Sequence, residues 1–153
     1  MSIISEEAPR KKRSYSRKLP VALKPGSEEA HAVRIDERPF IVGIGASAGG
    51  LEALSLLLPS LPKNLGLSYV VVQHLSPTYR SMMSQLLGRE TTMPVRDIED
   101  SMSPEPNTVY ITPPNRNLTL LDGHFRLVEP AKESLPKPSV NRFFASLAEE
   151  IGE

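Results

Sequence analysis

The strongest constraint on the fold is a pair of short apolar runs with a helical segment between them. Residues 40–45 read FIVGIG, and residues 67–74 read LSYVVVQH. Both are rich in β-branched residues, and such runs are typical of strands that are buried on both faces. Between them leucines recur at helical spacing until Pro59 and Pro62 end the helix. The order strand, helix, strand predicts parallel neighbouring strands covered by helices.

The remainder of the chain continues this pattern. Further predicted elements are a helix that begins at Ser76-Pro77 and ends at Gly88, strands at 94–96 and 108–112, a hairpin over 118–128 with its turn at Asp122-Gly123, and a helix over 139–151 capped by Ser139. The predicted apolar faces of these two helices are Tyr79, Met82, Met83, Leu86 and Leu87, and Val140, Phe143, Phe144, Leu147 and Ile151. We therefore expect an α/β fold with a doubly wound, mostly parallel sheet, flanking helices and a β-hairpin. The sheet is expected to be incomplete at its C-terminal side, because no strand follows the last helix.

The first 38 residues differ from the rest in composition. They hold nine of the 18 basic and six of the 18 acidic residues, so their net charge is +3 and that of residues 39–153 is −3. They contain few large apolar residues and the basic run 10–13, which predicts a disordered arm over residues 1–38. Such an arm is either a weak electrostatic tether to an acidic partner or a solvated tail with no specific role.

Composition also excludes several classes of function. The neutral total charge argues against a dedicated nucleic-acid binder. The absence of cysteine excludes disulfides, thiolate metal sites and cysteine nucleophiles, and three scattered histidines give a metal site little support. No apolar run approaches the roughly 18 residues of a membrane span, and the N-terminus lacks a signal-peptide pattern. We expect a cytoplasmic protein with no cofactor, no bound metal and no membrane insertion.

The turn after the first strand fits two motifs that imply different functions. Gly43, Gly45 and Ala48 match the dinucleotide fingerprint G-x-G-x-x-G/A. Residues 45–49 match G-x-S-x-G, the sharp turn that exposes a nucleophilic serine, here Ser47. Small residues on both sides let a substrate approach the serine. Either motif alone is weak support for a function.

The end of the second strand favours the serine. A dinucleotide site places an acid there, whereas this strand ends in Gln73-His74. Parallel neighbours lie about 4.8 Å apart, so His74 is predicted within reach of Ser47 as its general base. Backbone N–H groups at the start of the first helix are candidate oxyanion donors. A nucleotide-binding module and a non-catalytic remnant, in which Ser47 is a turn residue and His74 a satisfied polar group, remain as alternatives.

Four segments together resemble one enzyme family. They are PFIVGIGASAGG (39–50), VVVQH (70–74), VYITPPNRNLTL (109–120) and PSVNRFFASLAEE (138–150). In this order they are similar to the catalytic domain of the chemotaxis protein-glutamate methylesterases, in the type fused to a receptor methyltransferase domain. The resemblance implies hydrolysis of glutamate methyl esters, and deamidation of glutamines, on the cytoplasmic regions of chemoreceptors. It also implies Ser47 as nucleophile, His74 as general base, and a receptor methyltransferase domain as a further partner.

The chain departs from the family pattern in one respect. The resemblance implies a third site residue, an aspartate on a glycine-rich loop after a later strand, and the 153 residues contain no such segment. Spacing assigns that place to none of Asp97, Asp100 or Asp122. We therefore expect residues 39–153 to be the N-terminal part of a methylesterase-like catalytic domain that is truncated at its C-terminus. Little turnover is expected from this chain, because loss of the orienting acid costs about 10⁴-fold in the serine-protease example.

Overall fold

The computed structural model describes residues 39–47, 49–74, 82–130 and 138–151. The predicted arm over 1–38 and the predicted helix start at Ser76-Pro77 lie outside these ranges. In the described chain a four-stranded parallel sheet has the order β1-β2-β4-β3, and two further strands form an antiparallel hairpin. The strands are β1 (Phe40–Ala46), β2 (Leu67–Gln73), β3 (Val95–Asp97), β4 (Thr108–Ile111), β5 (Asn117–Leu121) and β6 (His124–Val128), and the helices are α1 (Gly50–Leu57), α2 (Met83–Leu87) and α3 (Val140–Ile151). The predicted α/β class, with a mostly parallel sheet, flanking helices and a hairpin, is confirmed.

The two faces of the sheet bury separate cores. Alternation along β2 sends Tyr69 and Val71 into a core with α1 and α2, and Val70 and Val72 into a core with the hairpin and α3. All four side chains are buried. Because the four strands are parallel, their carboxyl ends lie together at one end of the sheet, which we call the carboxyl edge. Open α/β sheets bind ligands at this end.

The first strand packs against a core on both faces, but it is not fully buried as the sequence predicts. β1 is the edge strand of the described sheet, and its residues are half-buried or exposed. Its apolar side chains contact both cores, but one side of the strand carries no neighbour among the described residues. An apolar run reports which faces are covered and does not report the place of a strand within its sheet.

Two of the predicted helix faces need correction. Met83 is 4% exposed and Leu87 is buried, whereas Met82 is 59% exposed and Leu86 is also exposed. Met82 precedes α2, which begins at Met83, and does not share its buried face, whereas Leu86 lies within α2 outside that face. In α3, Phe143 and Leu147 are buried as predicted, while the ring of Phe144 is partly exposed beside the edge strand.

The hairpin and α3 meet as one unit. The predicted turn is observed, with Asp122 at φ 51° and Gly123 at φ 77°, the left-handed conformations that a tight two-residue hairpin turn requires. The hydroxyl of Ser146 accepts a hydrogen bond from the N–H of Leu120 at 3.0 Å. The predicted cap of α3 is also observed, because the Ser139 hydroxyl accepts the N–H of Arg142 at 3.3 Å.

Candidate active site

The register of β1 and β2 brings the two predicted site residues to the same place. Ala46 and Gln73 are the last pair of the parallel ladder. The N–H of His74 then donates to the carbonyl oxygen of Ala46 at 3.0 Å. Ser47 follows Ala46, so Ser47 and His74 leave two adjacent strands side by side at the carboxyl edge of the sheet.

The turn that carries Ser47 is held through its carbonyl oxygen. That oxygen accepts the N–H of Gly50 at 2.9 Å and the Nε2–H of the Gln73 side chain at 3.1 Å. Gly49 has φ 82°, a left-handed conformation that favours glycine, and it precedes α1 directly. The Gly50 N–H is therefore committed to the turn and is not one of the oxyanion donors that the sequence suggests at the start of α1.

The two site residues differ in exposure. Ser47 is exposed and His74 is half-buried. Within the described ranges no hydrogen bond joins the Ser47 hydroxyl to the His74 imidazole. Hydrogen bonds of this kind are commonly long or misaligned in ligand-free enzymes and tighten in the substrate complex.

The glycines of the dinucleotide fingerprint serve a different purpose here. Gly43 and Gly45 lie inside β1 and face α3. A Cβ atom at Gly43 would lie 3.0 Å from the Phe144 ring, and one at Gly45 would lie 2.6 Å from Cγ1 of Val140. Both glycines are thus required for close packing of a helix on the edge strand, and α3 occupies the space above them. This packing, together with Gln73 in place of an acid, does not favour the nucleotide-binding alternative.

The acids considered at the sequence level are engaged away from His74. Asp97 ends β3, which is separated from β2 by β4, and its carboxylate accepts the Ser84 hydroxyl at 3.0 Å. Asp122 lies in the hairpin turn. Asp100 accepts the N–H of Leu127 at 2.9 Å. This bond is the main cause that lowers the Asp100 pKa, ahead of opposing desolvation and of smaller contributions from Ser101 and Arg126.

The described part of the chain shows no metal centre. Among residues 39–47, 49–74, 82–130 and 138–151, no three His, Cys, Asp or Glu side chains come together as a ligand group. One histidine of the chain lies outside both the arm and the site. It is His124, which is exposed in the hairpin, as the sequence suggests. Its Nδ1 lies 2.9 Å from the carbonyl oxygen of Asp122, so it belongs to the turn.

Sequence reasoning missed two residues of this site. Gln73 appears in the sequence only as a replacement for an acid, and Gly50 only as part of a glycine pair. In the structure the Gln73 carboxamide is buried against Gly50 and bonded to Ser47. A glutamine at the end of a buried, mostly apolar strand is the signal that was available, since a buried amide requires a hydrogen-bond partner.

The comparison with known families decides the identity of the domain. The model of the CheB methylesterase family matches residues 42–153. The chain belongs to the CheB methylesterase family. Curated relatives include protein-glutamate methylesterase/protein-glutamine glutaminase 3 of Pseudomonas aeruginosa, 33% identical over 112 residues that cover 72% of this chain and 33% of the relative. The corresponding enzyme 1 of Cupriavidus pinatubonensis is 36% identical over 110 residues that cover 71% of this chain and 32% of the relative.

A solved structure of the CheB methylesterase family has the same fold. The crystal structure of the Thermotoga maritima CheB methylesterase catalytic domain matches with a TM-score of 0.65 and 33% identity, covering 72% of this chain and 61% of that chain. The chain spans about one third of the length of the curated relatives it matches. Those relatives are named as methylesterases, which are carboxylic ester hydrolases. No helix among the described residues is long and apolar enough to cross a membrane.

Proposed function

We propose that this chain supplies the nucleophile and the general base of a protein-glutamate methylesterase. The observation that supports the proposal is the pairing of Ala46 with Gln73, after which Ser47 and His74 follow adjacent strands at the carboxyl edge of the sheet, where open α/β sheets bind ligands. Membership of the CheB methylesterase family supports the same assignment. Ser47 is exposed, and His74 is half-buried and directly follows β2.

The chemistry follows from these two side chains. Ser47 Oγ attacks the carbonyl carbon of the ester while His74 accepts the hydroxyl proton. The tetrahedral intermediate collapses, the bond to the methoxy oxygen breaks, and His74 returns the proton to give methanol. Water then attacks the acyl-serine, His74 accepts one of its protons, and the carboxylic acid leaves as Ser47 Oγ regains its proton. A side-chain amide follows the same path with ammonia as the leaving group.

The substrate in this proposal is a methylated glutamate on the cytoplasmic region of a chemoreceptor. The names of the relatives, which join methylesterase and glutaminase, support both an ester and an amide of the glutamate side chain as substrates. We place the reaction in the cytoplasm, where those receptor regions lie, and we take residues 1–38 as an arm outside the catalytic part. A receptor methyltransferase domain is the second partner in this proposal, because it produces the ester that this site removes.

The orienting acid is the part of the site that the described residues do not supply. Within the ranges that the structure covers, no carboxylate is hydrogen-bonded to His74. The first test therefore uses a reaction that requires only the attack by Ser47 and not a complete catalytic cycle. A fluorophosphonate forms a bond from phosphorus to Ser47 Oγ, fluoride leaves, and His74 accepts the hydroxyl proton. The rate of this reaction reports the reactivity of the nucleophile directly.

The test of the substrate class is protection of Ser47 from that reagent. A receptor-derived peptide with a glutamate methyl ester should slow the labelling in proportion to its concentration, and the unmethylated glutamate peptide should slow it much less. NAD serves as the control for the nucleotide-binding alternative and should leave the rate unchanged. Protection by NAD, or equal protection by the methylated and unmethylated peptides, would refute the proposed substrate class.

A further inference from the structure

The side chain of Gln73 is a buried amide with one hydrogen bond. Gln73 ends β2, its side chain faces α1, and the residue is 7% exposed. Its Nε2–H donates to the Ser47 carbonyl oxygen at 3.1 Å. Its Oε1 is buried without a hydrogen-bond partner among the described residues. A methionine of similar size would fill this space without an unpaired oxygen, so packing alone does not account for a glutamine here.

The turn closes directly on this amide. A Cβ atom at position 50 would lie 3.0 Å from Cδ and from Nε2 of Gln73, and 2.8 Å from Cβ of Ala46. Only glycine therefore allows the start of α1 to approach the carboxamide. The N–H of Gly50 reaches the same Ser47 carbonyl oxygen at 2.9 Å. That oxygen thus receives one donor from the backbone of the turn and one from the neighbouring strand.

Two donors on one oxygen fix the direction of the Ser47 carbonyl bond. The preceding residue, Ala46, is held by its ladder pairing and by the N–H of His74. The backbone is therefore bonded to β2 or His74 both at Ala46 and at the Ser47 carbonyl. These bonds fix the direction of the Ser47 side chain relative to His74, which directly follows β2. Misplacement of a reacting group by about 1 Å costs of the order of 100-fold in rate.

We propose that Gln73 is a positioning residue that holds the nucleophile turn against β2. This inference rests on the proposed role of Ser47. The carboxamide orientation is set by the carbonyl that it meets, since only the N–H side of the amide donates. Gln73→Glu places an acceptor against the acceptor oxygen of Ser47, and Gln73→Met removes the donor while it keeps the volume.

The kinetic test separates position from binding and from stability. Gln73→Met and Gln73→Glu should each lower the limiting rate of fluorophosphonate labelling of Ser47 at least about tenfold. The half-saturating concentration of the reagent should change by less than about twofold. Labelling should be measured at a temperature at which the thermal unfolding curve shows the variant to be folded. Gln85→Met, on the exposed side of α2, is the matched control and should leave both constants unchanged. Unchanged limiting rates in folded Gln73 variants would overturn the inference.

A second measurement does not depend on Ser47 reactivity, and its wild-type part does not depend on the folding of a variant. In the wild-type chain, the side-chain amide protons of Gln73 should exchange with solvent more slowly than those of the exposed Gln85, and Gln73→Met should speed exchange of the Gly50 backbone N–H. Exchange of the Gln73 amide as fast as that of Gln85 would also overturn the inference. Absence of labelling at wild-type Ser47, with a protected Gln73 amide, would instead contradict the proposed function and leave the turn-holding contact in place.

Discussion

The N–H of His74 donates to the carbonyl oxygen of Ala46 over 3.0 Å. This bond extends the β1–β2 ladder by one residue past its last pair, Ala46 and Gln73. The position of residue 74 beside Ser47 is therefore set by the backbone and not by the imidazole. A mutation of His74 therefore removes the imidazole without removing the backbone bond that positions residue 74.

Removal of the imidazole should affect reactivity far more than stability. His74→Ala keeps the backbone bond to Ala46 and removes the general base, so fluorophosphonate labelling of Ser47 should slow about 100-fold or more. The melting temperature should fall by only a few degrees. His124→Ala, at an exposed histidine of the hairpin, is the control and should change neither quantity. A labelling rate that is equal in His74→Ala and wild type would rule out His74 as the base.

The glycine at position 45 should be required for packing. A Cβ there would lie 2.6 Å from Cγ1 of Val140 and 3.3 Å from the Phe144 ring, so Gly45→Ala forces α3 away from β1. We expect a loss of about 1–3 kcal/mol in the free energy of unfolding. Denaturant unfolding measures it.

A double-mutant cycle identifies the contact that causes this loss. Val140→Ala removes the methyl group that Gly45→Ala meets, so the two changes together should cost less than the sum of their separate costs. Strict additivity would show that Gly45 is needed for its backbone conformation or for another reason, and not for the approach of Val140.

Much of this fold follows from local pattern. The strands at 40–45 and 67–74, the hairpin around Asp122-Gly123 and the cap at Ser139 were predictable, because each depends on residues close together in sequence. The order β1-β2-β4-β3 was not, since it depends on pairing between segments far apart in the chain. The exposure of Met82 was missed for a different, local reason. The helical spacing of apolar residues includes Met82, while the helix itself begins one residue later.

Ser146 should be a strong stability determinant of the hairpin interface. Its hydroxyl accepts the N–H of Leu120 at 3.0 Å and donates to the carbonyl oxygen of Phe143 at 2.8 Å, and all of these groups are buried. Ser146→Ala leaves the Leu120 N–H unpaired, so we expect a loss of about 1–3 kcal/mol in unfolding free energy. Ser60→Ala removes an exposed hydroxyl and should cost less than about 0.5 kcal/mol. Equal costs for the two serines would contradict the role given to Ser146.

Asp100 should make the stability of the chain depend on pH in the acid range. Its carboxylate accepts the Leu127 N–H of β6, which lowers its pKa in the folded state below the ordinary value. A lowered folded pKa means stabilisation that is present above the unfolded pKa of about 4 and is lost as the pH falls through the folded pKa. Asp100→Asn should therefore flatten the fall in melting temperature below about pH 4. Identical acid profiles of variant and wild type would count against this linkage.

The candidate site was predictable only in part. Ser47 and His74 follow from small residues around a serine and from an imidazole at the end of a neighbouring strand, both of which are local features. Gln73 was not predictable as a partner of Ser47, because the contact joins a side chain to a backbone carbonyl 26 residues away. Any residue type can supply a backbone carbonyl, so the sequence at Ser47 does not indicate this contact. The contact becomes apparent only once the register of β1 and β2 is known.

The site at which a fluorophosphonate attaches to the purified chain shows directly whether Ser47 is the nucleophile. Peptide mass spectrometry should find the adduct on Ser47, with no adduct in Ser47→Ala and an unchanged yield in Ser60→Ala. That result would establish Ser47 as an activated nucleophile at the carboxyl edge of the sheet. An adduct spread over several exposed serines, or a yield that Ser47→Ala does not reduce, would contradict the account.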